Sequence, residues 1–323
     1  MEFQEVYRRY RPELHQVEAI LLDQLRVGED ALTESSGQLI RAGGKRIRPL
    51  FALICSRFGD PASDRTRVLR VAAALEMVHM ATLVHDDVVD DASLRRGQPT
   101  VRVRFGNRPA MYTGDFLFAK SIQLLTTVER PDLHRDMARA MVRICQGEID
   151  QIRDLHNWRQ TLRDYLRRIE RKTALLISVS CQLGAKVAGA PVDVVRTLRR
   201  FGYYTGMAFQ MIDDVLDYVG DERVVGKRVG GDLMQGNLTL PALYAAQQAG
   251  RGKELAQLLS HAPSAAEVAK AVDIVKESGA IAYVQRLADR YREKAIAVLA
   301  GLEDRVEREE LAVVAAFVNG RAY

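Results

Sequence analysis

Apolar residues recur at spacings of three and four through almost the whole chain, and this repeat limits the chain to a helical fold. The repeat runs through Val17 to Leu25, Val68 to Val84 and Met137 to Ile152. It resumes in Leu162 to Ala188, Val194 to Tyr218 and Ile281 to Leu302. Strict alternation of Val and Ile is scarce, so no sheet is expected. Breaks fall at Gly43-Gly44, Gly59-Asp60-Pro61, Arg96-Gly97-Gln98-Pro99, Gly189-Ala190-Pro191 and between Gly226 and Gly236. Asp60 to Asp64 offers N-caps for the helix that follows. With only 9 Pro and 23 Gly in 323 residues, the chain suits long helices rather than many turns. The expectation is an all-α fold, one large helical bundle with a central cavity, as a single domain over residues 1–323.

Composition closes off other classes. A net charge of +5 is mild for a nucleic-acid binder, and no basic stripe with aromatic platforms is present, so no nucleic acid is expected. No uninterrupted apolar run reaches about 18 residues, and the segment from Met1 to Arg11 is charged and lacks a signal-peptide core. A cytoplasmic protein without a membrane-spanning helix is expected. Cys55, Cys145 and Cys181 form neither a CxxC pair nor a zinc pattern; they read as buried small hydrophobes.

Two short acidic motifs stand out from this apolar background. Asp86-Asp87-Val88-Val89-Asp90 follows Leu83-Val84, and Asp213-Asp214-Val215-Leu216-Asp217 follows Met211-Ile212. In each, the first and last Asp lie four apart and share a helix face. Like carboxylates at that spacing repel by a few tenths of a kcal/mol, and within apolar flanks they need a counterion. Oxygen-only ligands with room for water suit Mg²⁺. One such motif is a weak signal. Two on apolar helices in one chain are strong, because facing helices can share a metal cluster.

Basic residues complete the pattern. Gly43-Gly44-Lys45-Arg46-Ile47-Arg48-Pro49 sets three cations behind a glycine pair. Glycine lets a backbone approach an anion, and Arg forks onto phosphate oxygens. Arg95-Arg96 follows the first motif, and Lys172-Thr173 and Gly226-Lys227 add donors. Together they fit two diphosphates, one held through metal and one by Arg and Lys.

At these residues the sequence resembles the trans-prenyltransferases, the head-to-tail isoprenyl diphosphate synthases. The matching stretches are Gly43 to Pro49, Leu83 to Thr100, Gly114 to Leu117, Lys172-Thr173, Phe209 to Asp217 and Gly226 to Pro241. Tyr112 to Phe118 and Tyr165 to Leu183 are similar to the large catalytic subunits of two-component heptaprenyl diphosphate synthases.

The resemblance implies an isoprenoid-synthase bundle, and it implies roles for individual residues. Asp86 and Asp90 would ligate magnesium with Asp87 in support, and Asp213 would hold a further ion with Asp217 nearby, two to three Mg²⁺ in all. Asp214 belongs to the same catalytic set. Lys45, Arg48, His79 and Arg96 would bind the diphosphate of isopentenyl diphosphate. Arg95, Lys172 and Lys227 would bind the allylic diphosphate, with Thr173 and Gln210 at the reacting end. Read from sequence alone, His79 is rather a satisfied core histidine, and it is the resemblance that reverses this reading. Asn237 stands where the family often carries Lys, and Arg228 replaces a common Pro.

The reaction so implied ionises an allylic C–O bond, adds isopentenyl diphosphate to the cation, and passes a proton to the released diphosphate. No protein nucleophile is needed. Ala81 and Thr82, five and four residues before Asp86, are small, and Val78, eight residues before Asp86, lies about 12 Å down the helix from it at 1.5 Å per residue. These residues would leave room for a product of roughly 30 to 40 carbons, the level where short-chain relatives carry a bulky aromatic. The implied product is a heptaprenyl diphosphate for a menaquinone side chain.

Three readings stay open beside it. One is a hexaprenyl- or octaprenyl-type homodimer working without a partner. Another is a catalytically silent regulatory subunit, and the third a terpene cyclase. The implied partners are a small non-homologous subunit or a second copy, with transient membrane contact for product release.

Overall fold

The computed structural model describes residues 1–25, 37, 39–40, 43–95, 97–220, 229–260 and 263–320. Among them the chain is helical nearly throughout, as the periodicity requires. It divides into two compact units. The first comprises Met1–Met141, Leu176–Gly202 and Val298–Val314; the second comprises Val142–Leu175, Tyr203–Ala297 and Ala315–Tyr323.

The first unit is organised on one long apolar helix. Helix α1 (Phe3–Gln24) starts from a capping box between Glu2 and Glu5 and buries Val6, Tyr10, Leu14, Val17 and Leu21. Helix α2 (Ile47–Ser56) follows the Gly43-Gly44 break, and α3 (Arg65–Val89) follows the loop at Gly59 to Asp64. As expected, an Asp from that loop caps α3: the Asp64 side chain accepts from the Thr66 amide at 2.9 Å.

α3 is apolar on nearly every side from Val68 to Ala81, with Arg70, Glu76 and His79 as exceptions, and it packs on α1, α2, α4 (Val101–Phe105) and α5 (Asn107–Thr126). By length and composition it is apolar enough to cross a membrane, although polar residues interrupt its apolar run, and most of it is buried inside the unit. Its 25 residues extend about 37 Å at 1.5 Å per residue. Asp90 ends α3, and Asp91 turns the chain with φ 51°.

Among the described residues, a short hairpin departs from an all-helical reading. Leu94–Arg95 (β1) and Gln98–Pro99 (β2) pair antiparallel, with Leu94 opposite Pro99 and Arg95 opposite Gln98. No sheet was expected here. Two residues a side is too short to show an alternating pattern, and Pro99 is tolerated because both strands are edges.

Helix α6 (Pro131–Arg153) is divided between the units. In the second unit α7 (Leu162–Ile169) begins with a capping box between Thr161 and Asp164. The sequence reads Leu162 to Ala188 as one helix, but a π-turn at Glu170–Ala174 interrupts it before α8 (Leu175–Val187). The 3.6-residue repeat persists on both sides of the extra residue, so periodicity does not reveal it.

Helix α9 (Val192–Val219) carries the second acidic motif near its C-terminal end. The second unit's core gathers Tyr165, Met207, Met211, Val215 and Tyr218 against Leu238, Leu243 and Val272. The latter come from the loop before α11 (Leu240–Ala246), α11 itself and α13 (Ala265–Glu277). Short α10 (Gly231–Met234) lies before them, and α12 (Arg251–Leu258), α14 (Ala280–Leu299) and α15 (Val306–Asn319) complete the chain.

Cys55 and Cys181 are buried in the first unit as expected. Cys145 is exposed and is not a core residue.

Candidate active site

The first motif occupies the last turn of α3, where apolar packing gives way to solvent. Asp86 and Asp90 are half-buried and Asp87 is 1% exposed. Asp87 therefore points into the unit. Its Oδ1 accepts from Nε of Arg95 on β1, and Nη2 of Arg95 also lies 2.7 Å away. The hairpin thus ties the middle acid to one of the cations expected at a diphosphate. Asp91 pairs with Arg102 on α4. A small cleft borders this turn, lined by Glu76, Met80, Leu83, Asp87, Arg95 and Thr100.

His85 fastens the same turn to α5. Its Nε2 lies 3.2 Å from the Met111 carbonyl and 3.4 Å from Asp115 Oδ1. Gly114 makes room for the ring, because a Cβ there would sit 2.2 Å from Nε2. Gly114-Asp115 is thereby explained as a contact to the motif's flank.

The three cations of the basic segment separate. Lys45 is exposed, Arg48 is half-buried, and Arg46 is 3% exposed. Gly43 at φ 71° and Arg46 at φ 45° turn the backbone so that Arg46 faces inward. Its guanidinium donates to Glu76 Oε1 at 3.0 Å, to Glu18 Oε1 at 3.1 Å and to the Ile40 carbonyl at 2.9 Å. Lys45 and Arg48 flank the N-terminus of α2, where helix amides favour an anion.

His79 and Thr82 are half-buried on α3, and Thr82 Oγ1 donates to the His79 carbonyl at 2.8 Å. Val78 and Ala81 are fully buried. Arg96 lies outside the described residues, as do Lys227, Gly226 and Arg228.

The second motif divides its acids in the same way. Asp213 and Asp217 are half-buried, and Asp214 is 3% exposed. Asp214 Oδ2 accepts from Tyr165 Oη at 2.6 Å, and Oδ1 accepts from Gln210 Nε2 at 2.8 Å. Gln210 Oε1 in turn accepts from Thr173 Oγ1 at 2.5 Å. Lys172 Nζ donates to Gln151 Oε1 at 2.9 Å and lies 3.6 Å from Glu148. Lys172, Thr173, Gln210 and Asp214 are thus joined within one unit.

Asp217 is held by the loop after it. Gly230 N–H donates to its carbonyl at 2.7 Å and Asp232 N–H to its Oδ2 at 3.2 Å. Asn237 Nδ2 donates to Asp232 Oδ1 at 3.1 Å. Asn237 is therefore a partner for an acid, where a Lys would bring a charge.

Electrostatics bear on a metal. Burial, and then the nearby Asp232 charge, push the Asp214 carboxyl up to about 7 despite the hydrogen bonds from Tyr165 and Gln210. The Tyr165 phenol is pushed up by burial and by Asp214. Crowding four acids at one helix end is unfavourable unless a cation shares the space. Among the described residues no three Asp, Glu, His or Cys side chains form a closed cage. Magnesium does not need one: it keeps several waters and takes one or two carboxylates together with phosphate oxygens. The accessible pairs Asp86/Asp90 and Asp213/Asp217 fit that demand.

Sequence reasoning assigned no role to Tyr165, Gln151, Asp232 or Glu76. Each acts through a partner distant in sequence, and composition does not report that. The signal for Glu76 is a polar residue inside an apolar run, which calls for a buried partner.

A family model for polyprenyl synthetases matches residues 29–275. The chain is 48% identical over 292 residues to heptaprenyl diphosphate synthase component 2 of Geobacillus stearothermophilus, covering 90% of each. Its fold is similar to the heptaprenyl diphosphate synthase of Staphylococcus aureus, with a TM-score of 0.91, 36% identity and coverage of 96% and 98%. It is similar also to a polyprenyl synthase of Caulobacter crescentus solved with calcium and isoprenyl diphosphate, with a TM-score of 0.93, 32% identity and coverage of 99% and 98%. With two acidic motifs placed alike and a family match over most of its length, the chain belongs to the polyprenyl synthetase family.

Proposed function

We propose that this enzyme condenses isopentenyl diphosphate head-to-tail with an allylic diphosphate, farnesyl diphosphate serving as primer, to build a long all-trans polyprenyl diphosphate. The heptaprenyl chain of a menaquinone is the product we assign. The observation that carries this reading is the shared division of both motifs, a pinned buried acid between two accessible ones. The 48% identity to a heptaprenyl synthase component supports the heptaprenyl length.

Asp86 and Asp90 would hold magnesium, as would Asp213 with Asp217, two to three ions in all. When bound, magnesium neutralises charge growing on the departing diphosphate. The protein's own groups do the rest. Lys45, Arg48, His79 and Arg96 orient isopentenyl diphosphate. Arg95, Lys172 and Lys227 grip the allylic diphosphate, and Thr173 and Gln210 line the reacting end. Such fixed donors act where charge develops, and this is where most of the rate enhancement arises. The released diphosphate takes the proton. Val78, Ala81 and Thr82 set the depth available to the tail, and 1–323 works as one catalytic domain.

The word component in the relative's name supports a small second subunit as partner, and the cytosol is the site of work we assign. The test is one incubation with labelled isopentenyl diphosphate, farnesyl diphosphate and Mg²⁺, with and without a candidate small subunit. A product of about 35 carbons supports the reading. A cyclised hydrocarbon, or no elongation with any partner, refutes it.

A further inference from the structure

The π-turn at Glu170–Ala174 sets Lys172 and Thr173 in place, and something must hold it open. A π-turn inserts one extra residue, bulges outward, and is less favourable than the α-helix it interrupts. Here the Leu175 amide bonds back to the Glu170 carbonyl, the wide i→i+5 closure.

Two neighbouring helices press on the bulge, each through a glycine. On α6, a Cβ added at Gly147 would lie 2.7 Å from Arg171 Cβ, with nothing else nearer than 3.4 Å. On α9, a Cβ added at Gly206 would lie 2.5 Å from Ala174 Cα. Only glycine permits contact this close on either side.

One turn beyond each glycine stands a glutamine. Gln151, four residues after Gly147, accepts from Lys172 Nζ at 2.9 Å. Gln210, four residues after Gly206, accepts from Thr173 Oγ1 at 2.5 Å. Residues four apart share a helix face, so each helix presents a gap for the bulge and then an anchor for the side chain it displays.

We infer that Gly147, Gln151 and Gly206 are positioning residues: two Gly-x-x-x-Gln faces clamp the π-turn and so aim Lys172 and Thr173. This rests on the proposed function for the identity of the ligand, an allylic diphosphate.

The test uses the full chain, with its small subunit if turnover needs one. It reads kcat, both KM values, and the calorimetric Kd of magnesium with a non-ionising thio analogue of farnesyl diphosphate. A methyl at Gly147 must push the turn by somewhat under 1 Å to reach ordinary contact, and misplacement near 1 Å costs up to about 100-fold. Gly147→Ala should raise the allylic KM and the analogue Kd by about 10-fold, leaving the isopentenyl diphosphate KM within about twofold. Gly206→Ala should lower kcat by about 10-fold or more.

Rescue decides the cause. In the Gly147→Ala background, Arg171→Gly removes the colliding Cβ and should restore the Kd, whereas Arg171→Ala keeps that carbon and should not. If Gly147→Ala does not fold, Gln151→Met, which fills no gap, should still raise the analogue Kd by about fivefold. A folded Gly147→Ala with wild-type Kd, equal rescue by both Arg171 variants, or a wild-type Kd in Gln151→Met overturns the clamp. Loss of elongation in the wild-type control would instead overturn the proposed function.

Discussion

Arg46 and Glu76 provide the sharpest energetic test of the first unit. Both are nearly inaccessible, with side chains 1% and 4% exposed, and they meet at 3.0 Å. Glu76 Oε2 is buried without a hydrogen-bond partner among the described residues, so Arg46 supplies the carboxylate's main compensation. Breaking a buried ion pair from one side leaves an uncompensated charge and costs about 3–5 kcal/mol. For Arg46→Met we expect the middle of that range, about 4 kcal/mol. For Glu76→Leu we expect about 3 kcal/mol, because Arg46 keeps Glu18, a half-buried acid, and the Ile40 carbonyl.

The double variant should cost no more than Arg46→Met alone, since once one charge is gone the other is better removed. The coupling energy is then about 3 kcal/mol, the top of the range for contacting pairs. Arg46→Lys keeps the charge but loses the three-way fork, and should fall between wild type and Arg46→Met. The assay is urea denaturation followed by helical circular dichroism, with m values compared so that ΔG is read on one footing. Two additive single effects, or either single variant costing under about 1 kcal/mol, would refute the reasoning.

Other outcomes follow from the same geometry. Ala81→Phe places a ring at a fully buried point one turn and a residue before Asp86; product chains should shorten by at least one five-carbon unit in thin-layer or mass analysis, and an unchanged ladder would sink the depth reading. Asp86→Ala should lower turnover by a factor of about 100 or more while the melting temperature stays near wild type, and EDTA should abolish wild-type turnover until Mg²⁺ is restored. Tyr10 donates to Glu310 Oε2 at 2.7 Å, and burial holds that carboxyl above its usual value while the tyrosine bond lowers it. A raised carboxyl contributes stability that is present below the unfolded value and is lost as pH rises through the folded one. Tyr10→Phe raises Glu310 further, so its cost, about 1–3 kcal/mol, should be larger at pH 8 than at pH 5 in urea titrations. A larger cost at pH 5 would contradict this assignment.

Much of the fold was legible because one repeat governs it. The runs Val68 to Val84 and Val194 to Tyr218 both lie inside helices where the period placed them. The π-turn was not legible, since an inserted residue leaves the repeats on either side intact. Nor was the split among Lys45, Arg46 and Arg48, since left-handed φ at Arg46 is set by long-range bonds to Glu18 and Glu76 rather than by local preference. Gly147 and Gly206 look in sequence like helix weaknesses worth about 1 kcal/mol each. What they accommodate lies on another helix.

The two motifs illustrate what a third aspartate contributes. A pair of carboxylates four apart would suffice to meet a metal, yet each motif carries a middle acid that is turned inward. Asp87 is fixed by Arg95 across a hairpin, and Asp214 by Tyr165 and Gln210. A helix end packed only through apolar contacts can rotate by several degrees at little cost, because such contacts are non-directional. A buried, hydrogen-bonded middle acid in each motif supplies the missing direction. It sets the rotation of the last turns of α3 and α9, and so the direction in which Asp86/Asp90 and Asp213/Asp217 present their oxygens. Replacing a middle acid by Asn should therefore loosen metal affinity without removing a ligand, as loss of an outer-shell partner does, by about 10–100-fold. Replacing an outer acid would instead remove a proposed ligand itself. Magnesium titration of Asp87→Asn against Asp86→Asn separates the two effects, and equal loss of affinity in both would mean that the middle acid binds the metal directly.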